Sequence, residues 1–109
     1  MITRESIIKA LSANFVSMLS GQEKLRLHPH LCEDYYLLYQ MHDGVLYCYE
    51  LRDGVKYGGR ISELTNGKLY KFVDALISLL VYRANGSCQY AIGRELEQTR
   101  KEIHKALFN

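Results

Sequence analysis

Two Asp-Gly pairs set ten residues apart, Asp43-Gly44 and Asp53-Gly54, constrain this chain most. Each is followed by a valine, Val45 or Val55, and the stretches around them are rich in β-branched and aromatic residues. Glycine accepts the positive φ of a two-residue hairpin turn and aspartate tolerates it, so both pairs reverse the chain tightly. The spacing predicts an antiparallel meander over residues 34–61, with strands at 35–41, 45–51 and 55–57 and Gly58-Gly59 ending the last. The recurrence is one strand plus one turn, too short for a repeat architecture. On the middle strand Val45, Tyr47, Tyr49 and Leu51 point to one face, and Leu46, Cys48 and Glu50 to the other. Both sets are rather apolar. The sheet is therefore expected to be covered on both sides, by helices or by a second copy of the chain.

On either side of the meander the hydrophobic period changes from two to 3.6. Residues 3–20 read as an amphipathic helix, capped by Thr3, with Ile8, Leu11, Phe15, Met18 and Leu19 on one face and Gly21 as the stop. Residues 24–31 are open to two readings. Leu25, Leu27 and Leu31 alternate with polar residues, but Pro29 breaks any ladder, which leaves an edge strand or a loop. Residues 66–84 form the most apolar helix, with Leu69, Phe72, Val73, Leu76, Ile77 and Leu80 on one face and Asn85-Gly86 at its end. Ser87 then caps a helix running to about Leu96. A break is expected at Glu97-Gln98. Thr99 opens the last helix, and Thr99-x-x-Glu102 has the capping-box pattern. The expected fold is α+β within one domain over residues 1–109: an N-terminal helix, a three-stranded antiparallel meander and three C-terminal helices. Residues 1–61 form the expected dimerisation part and residues 62–109 a tri-helical segment.

The chain of 109 residues suits one domain with one core. A formal net charge of +2 neither demands nor excludes a polyanionic partner. No apolar run approaches the roughly eighteen residues of a membrane span. Arg4, Glu5 and Lys9 interrupt the place where a signal peptide would be apolar. Three widely spaced cysteines, Cys32, Cys48 and Cys88, argue against a disulfide framework and for a reducing, cytoplasmic setting.

Catalytic signatures are missing from the sequence. Gly58-Gly59 lacks the lysine context of a phosphate loop, and no dinucleotide fingerprint occurs. Glu33, Asp34 and Glu50 make no paired-carboxylate motif. Cys48 and Cys88 have no recognisable histidine partner for nucleophilic chemistry. The chain is therefore read as not an enzyme, with no cofactor. His28, His30 and Cys32 place three soft-metal ligands within five residues, and in an extended segment all three could converge. A fourth would have to come from His42, Cys48 or Cys88. The other reading is two exposed loop histidines and a buried thiol. With no second ligand pair, no structural metal is expected.

The C-terminal residues carry the one signal for a partner. Ile92 and Leu96 anchor the second of the three helices, and Gly93 is the small residue where the third would cross it. Ile103 and Leu107 face inward on the third. Arg94, Arg100, Lys101, His104 and Lys105 remain to meet phosphates or base edges. Over about forty residues this order and spacing resembles the helix-turn-helix superfamily, including the tri-helical core of winged-helix proteins. Residues 100–108 also look like the recognition helix of Z-form nucleic-acid-binding winged domains, although no wing hairpin follows. The resemblance implies a small regulator that binds double-stranded DNA, and such a protein would act as a homodimer reading two half-sites. The tyrosine-rich meander supports a different class of function. Five of the nine tyrosines lie within residues 35–49, and tyrosine is enriched at interfaces. Tyr35, Tyr47 and Tyr49 are the candidate contacts of a homodimer or of a protein-binding module, such as an inhibitor, a toxin-immunity protein or a phage accessory factor.

Overall fold

Both Asp-Gly pairs turn the chain as their chemistry requires. Asp43 and Gly44 have φ of 50° and 77°, and Asp53 and Gly54 have 50° and 80°. Positive φ at both central positions matches the right-handed twist of the flanking strands, so two-residue hairpins result. The computed structural model describes residues 2–18, 24–27, 34–86 and 90–109. Their order is α1 (Arg4–Met18), β1 (Lys24–Leu27), β2 (Tyr35–His42), β3 (Val45–Arg52), β4 (Val55–Arg60), a 3₁₀ turn (Ile61–Glu63), α2 (Asn66–Gly86) and α3 (Tyr90–Phe108). The fold is α+β.

The strands form one antiparallel sheet in the order β1-β2-β3-β4. It has four strands rather than three. Lys24–Leu27 pairs with residues 37–40 of β2 and takes the edge. The part of the ambiguous segment that holds Pro29, with the candidate ligands His28, His30 and Cys32, lies outside the described residues. So does Cys88. Gly58-Gly59 does not end the last strand. Gly58 faces Tyr49 and Gly59 faces Cys48, and the ladder continues to Arg60. Glycine here permits a close approach: at φ 134° a Cβ on Gly58 would collide with the Cys48 carbonyl oxygen.

Among the described residues the C-terminal region contains two helices, not three. Residues 97–98 lie inside α3, which runs unbroken from Tyr90 to Phe108. No glycine or proline follows Gly93 within it, and Glu97 and Gln98 are good helix formers. Glu97 even pairs across the expected break with Arg100, at 3.5 Å. Thr99 is consequently no cap. Its Oγ1 donates to the Glu95 carbonyl at 2.9 Å, as a mid-helix threonine does.

The chain divides into two compact units, Met1–Ile7 with Asn66–Asn109, and Ile8–Thr65. The first is helical. Ile7, Leu69, Phe72, Val73, Leu76, Ile77, Ile103 and Leu107 are its buried apolar residues. Asn66, at the start of α2, accepts from Arg4 Nη1 at 2.7 Å and donates through Nδ2 to the Leu107 carbonyl at 3.0 Å. That bond satisfies one of the carbonyls a helix C-terminus leaves unpaired. Thr3 caps α1 as expected: its Oγ1 accepts from Ser6 N at 3.1 Å, and its own N–H donates to Ser6 Oγ at 2.8 Å.

In the second unit the buried residues are Leu11, Leu37, Leu38, Tyr39, Leu46, Cys48, Glu50, Ile61 and Leu64. On α1, Ile7 and Leu11 are buried and Ile8 is partly exposed; the side chains of Phe15, Met18 and Leu19 lie outside the described ones. Among the described strand residues the two faces of β3 differ in burial. Leu46, Cys48 and Glu50 of β3 are buried, whereas Val45, Tyr47, Tyr49 and Leu51 keep partial access to solvent. The buried Glu50 carboxylate accepts from Arg52 Nη2 at 2.8 Å and from the Tyr35 hydroxyl at 3.1 Å, partners that offset the cost of burying a polar group.

Candidate nucleic-acid interface

The registers define the composition of the open sheet face. Residues opposite one another in an antiparallel pair share a face. Tyr47 faces Gln40 on β2 and Arg60 on β4; Tyr49 faces Leu38 and Gly58; Leu51 faces Tyr36 and Lys56. Arg26 of β1 lies opposite Leu38 and so joins the same face. Val45 and His42 complete it at one corner. Leu38 is 7% exposed despite lying there, so its neighbours shut it off from water. Three tyrosines thus sit over an apolar floor.

A cation accompanies each of those rings. The Arg26 guanidinium carbon lies 5.5 Å from the Tyr36 ring centre, and Lys56 Nζ lies 4.0 Å from that of Tyr49. Both are within the range at which a ring face attracts a cation. Arg60 Nε donates to the Tyr47 hydroxyl at 3.4 Å, and that partner raises the arginine pKa above its ordinary value. The Tyr47 and Tyr49 rings are nearly parallel, 13° apart in plane, with centroids 6.2 Å apart. His42 meets Tyr47 edge-on at 6.2 Å and lies 3.3 Å from the Asp43 carboxylate in the adjoining turn. Among the described strand residues, every formally charged side chain on this face is basic.

The three sheet tyrosines expected to act together do not share a surface. Tyr47 and Tyr49 are on the open face. Tyr35 pairs with Arg52, on the side of Glu50, and its ring lies under the Arg52 guanidinium at 5.4 Å. Lys56 and Arg60 were within reach of the sequence. A two-residue turn at Asp53-Gly54 fixes the register, which puts both beside the Tyr47–Tyr49 face. Arg26 was not, because its pairing depends on a longer connection.

The basic residues of α3 also separate. Arg94, Lys101 and Lys105 are exposed and share a stripe, at i, i+7 and i+11. Glu95 and Glu102 are exposed on the adjoining stripe. Arg100 instead turns toward α2: Nη2 donates to Ser78 Oγ at 2.6 Å, and Nε lies 3.0 Å from Asp74 Oδ1. The Nε contact is an ion pair without the alignment of a hydrogen bond. His104 is exposed but packs in an aromatic trio, 5.0 Å from Tyr70 and 4.8 Å from Phe108 between ring centres. Burial is the main influence raising the Tyr70 pKa, and Asp74 adds to it.

Other chemistry on the described residues is sparse. The Cys48 thiol is fully buried, and burial pushes its pKa up to about 12, which opposes nucleophilic use. Among the described residues no group of three metal-ligating side chains converges, and no helix is long and apolar enough to cross a membrane. In comparisons with known proteins, the chain matches no family model, no curated protein and no solved structure.

Proposed function

We propose that this protein binds nucleic acid, and that the open face of its sheet carries the contact. One observation carries the reading: the basic strand residues Arg26, Lys56 and Arg60 share a face with Tyr36, Tyr47 and Tyr49 on adjacent strands. Cations neutralise phosphates and release counterions, while aromatic rings offer contact to bases. A net charge of +2 is small, so the arrangement matters more than the total. A second copy docked on the same face would bring like charge toward like charge, which favours a polyanion over self-association there.

A second reading keeps the duplex on α3, in a small DNA-binding regulator of helix-turn-helix type. The exposed stripe Arg94, Lys101 and Lys105 favours it. The engagement of Arg100 by Asp74 and Ser78 and the neighbouring Glu95 and Glu102 weigh against it. Fluorescence anisotropy with labelled mixed-sequence nucleic acid, single-stranded and duplex, separates the two. The expected result is binding at low salt that weakens linearly in log K against log salt. Replacing Arg26, Lys56 and Arg60 together by glutamine should remove most of it, and the same change at Arg94, Lys101 and Lys105 should remove little. The opposite pattern would move the site to α3. Absence of binding to either form at low salt would reject both and leave the protein-binding module, with the tyrosine face as the surface to probe.

A further inference from the structure

We infer that the open sheet face is a stacking platform for unpaired bases, so that its ligand is single-stranded nucleic acid rather than duplex. The inference rests on the nucleic-acid reading above and adds the form of the strand.

Tyr36, Tyr47 and Tyr49 each pair with one cation, from β1, β4 and β4 in turn. One ring with one cation is the complement of one base with one phosphate, and the face repeats that unit across its width. The cation over a ring is held there by the quadrupole of the ring face. A base taking that face displaces the cation sideways, toward the phosphate the base brings. Lys56 is exposed on a flexible four-carbon stem and suits such a movement.

On β4 the residues sharing this face are Lys56, Gly58 and Arg60. Gly58, opposite Tyr49, has no side chain, so no β4 side chain stands between those of Lys56 and Arg60 on this face. Any other residue there would drive its Cβ into the Cys48 carbonyl oxygen and crowd Tyr49 Cα, both backbone atoms of β3. The bare position is therefore fixed by the backbone of the sheet.

In a duplex the bases stack on each other, so it offers a protein phosphates and groove edges but no free base face. Duplex could use Arg26, Lys56 and Arg60 and would gain nothing from the tyrosines. A single strand can use both, and stacking on aromatic side chains is tolerant of sequence.

The test uses the full chain and labelled oligonucleotides of about 12 nucleotides, within the usual span of such sites, as single-stranded DNA, single-stranded RNA and the matched DNA duplex. The expected result is single-strand affinity at least about tenfold above duplex. Tyr49→Ala or Tyr47→Ala should weaken single-strand binding by about 5- to 150-fold while leaving duplex binding nearly unchanged. Tyr49→Phe, which keeps the ring, should retain the wild-type affinity. The DNA and RNA arms report which sugar is preferred, and either preference supports stacking. Equal affinity for single strand and duplex, with both alanine variants binding as wild type, would overturn the stacking inference and leave the broader nucleic-acid reading standing. No binding of any probe at low salt would overturn both. If an alanine variant loses its circular dichroism, Tyr49→Phe together with the wild-type preference decides. If Tyr47→Ala instead dissociates a dimer of the free protein, the face is a protein interface and the inference is wrong.

Discussion

Arg100 of α3 and Asp74 of α2 lie 3.0 Å apart between Nε and Oδ1, and the guanidinium continues to Ser78 Oγ at 2.6 Å. A residue whose sequence position suggests a phosphate contact is thus part of the packing between two helices. The Arg100 side chain is 23% exposed and that of Asp74 41%, so solvent screens the pair and its charge energy is modest. Arg100→Met should destabilise the fold by about 1 kcal/mol, mostly through the lost hydrogen bonds. A chemical denaturation series checks this. A double-mutant cycle with Asp74→Ala should show positive coupling, and a zero coupling term would mean the pair does not form in solution.

Thr99→Ala should leave stability unchanged or raise it by up to about 0.7 kcal/mol. A helix-capping threonine would lose stability on this change. Thr99 lies inside α3 and bonds back to Glu95, and alanine is the better helix former at such a position. The denaturation midpoint reads the sign directly. A clear loss would indicate that a helix starts at Thr99 after all.

These two residues also mark what the sequence can and cannot say. Asp43-Gly44 and Asp53-Gly54 were legible because the signal is local: two residues alone permit the turn. Thr99-x-x-Glu102 misled for a related reason. Three-residue spacing is also the ordinary spacing of neighbours within a helix, so a capping pattern can occur mid-helix. Gly58 reads as a strand end in one dimension, yet the pairing with Tyr49 turns it into the point where the backbone of β4 comes close to β3. The tyrosine enrichment was visible in the sequence. The division between Tyr35 on one side and Tyr47 and Tyr49 on the other required the register, and the cation beside each ring required neighbouring strands.

Cys48 should be inert in the native protein and reactive once unfolded. A thiol-specific reagent at neutral pH should label it only in denaturant, and fast native labelling would show that the site opens. Burial also sets a pH dependence. The folded thiol holds its proton to about 12, from an ordinary value of 9.0, while the unfolded chain releases it near the ordinary value. Between those limits the unfolded state binds fewer protons. Stability contributed by the neutral thiol is therefore complete below the lower limit and is lost as pH rises toward the upper one, at no more than about 1.4 kcal/mol per pH unit. Comparing wild type with Cys48→Ala at about pH 8 and about pH 10.5 isolates this contribution from the titration of tyrosines and lysines. The gap between the two proteins should narrow at the higher pH.

Gly58→Ala should damage both the sheet and its open face. The backbone at φ 134° lies where residues with a side chain are rarely found, and an added Cβ would strike the Cys48 carbonyl oxygen and approach Tyr49 Cα to 3.1 Å. Neither atom is the end of a flexible side chain, so the β3–β4 pairing itself must shift. The backbone strain alone is of order 1–3 kcal/mol. Gly44→Ala makes a useful comparison. It shares the positive φ, but nothing lies within 4 Å of its added Cβ, so only the backbone cost applies. Thermal denaturation should place Gly58→Ala below Gly44→Ala. If Gly58→Ala remains folded, its single-strand affinity should fall, because the shifted β3–β4 pairing moves Tyr49 relative to Lys56. Equal melting temperatures for the two variants would show that β4 does not approach β3 as closely as the register requires.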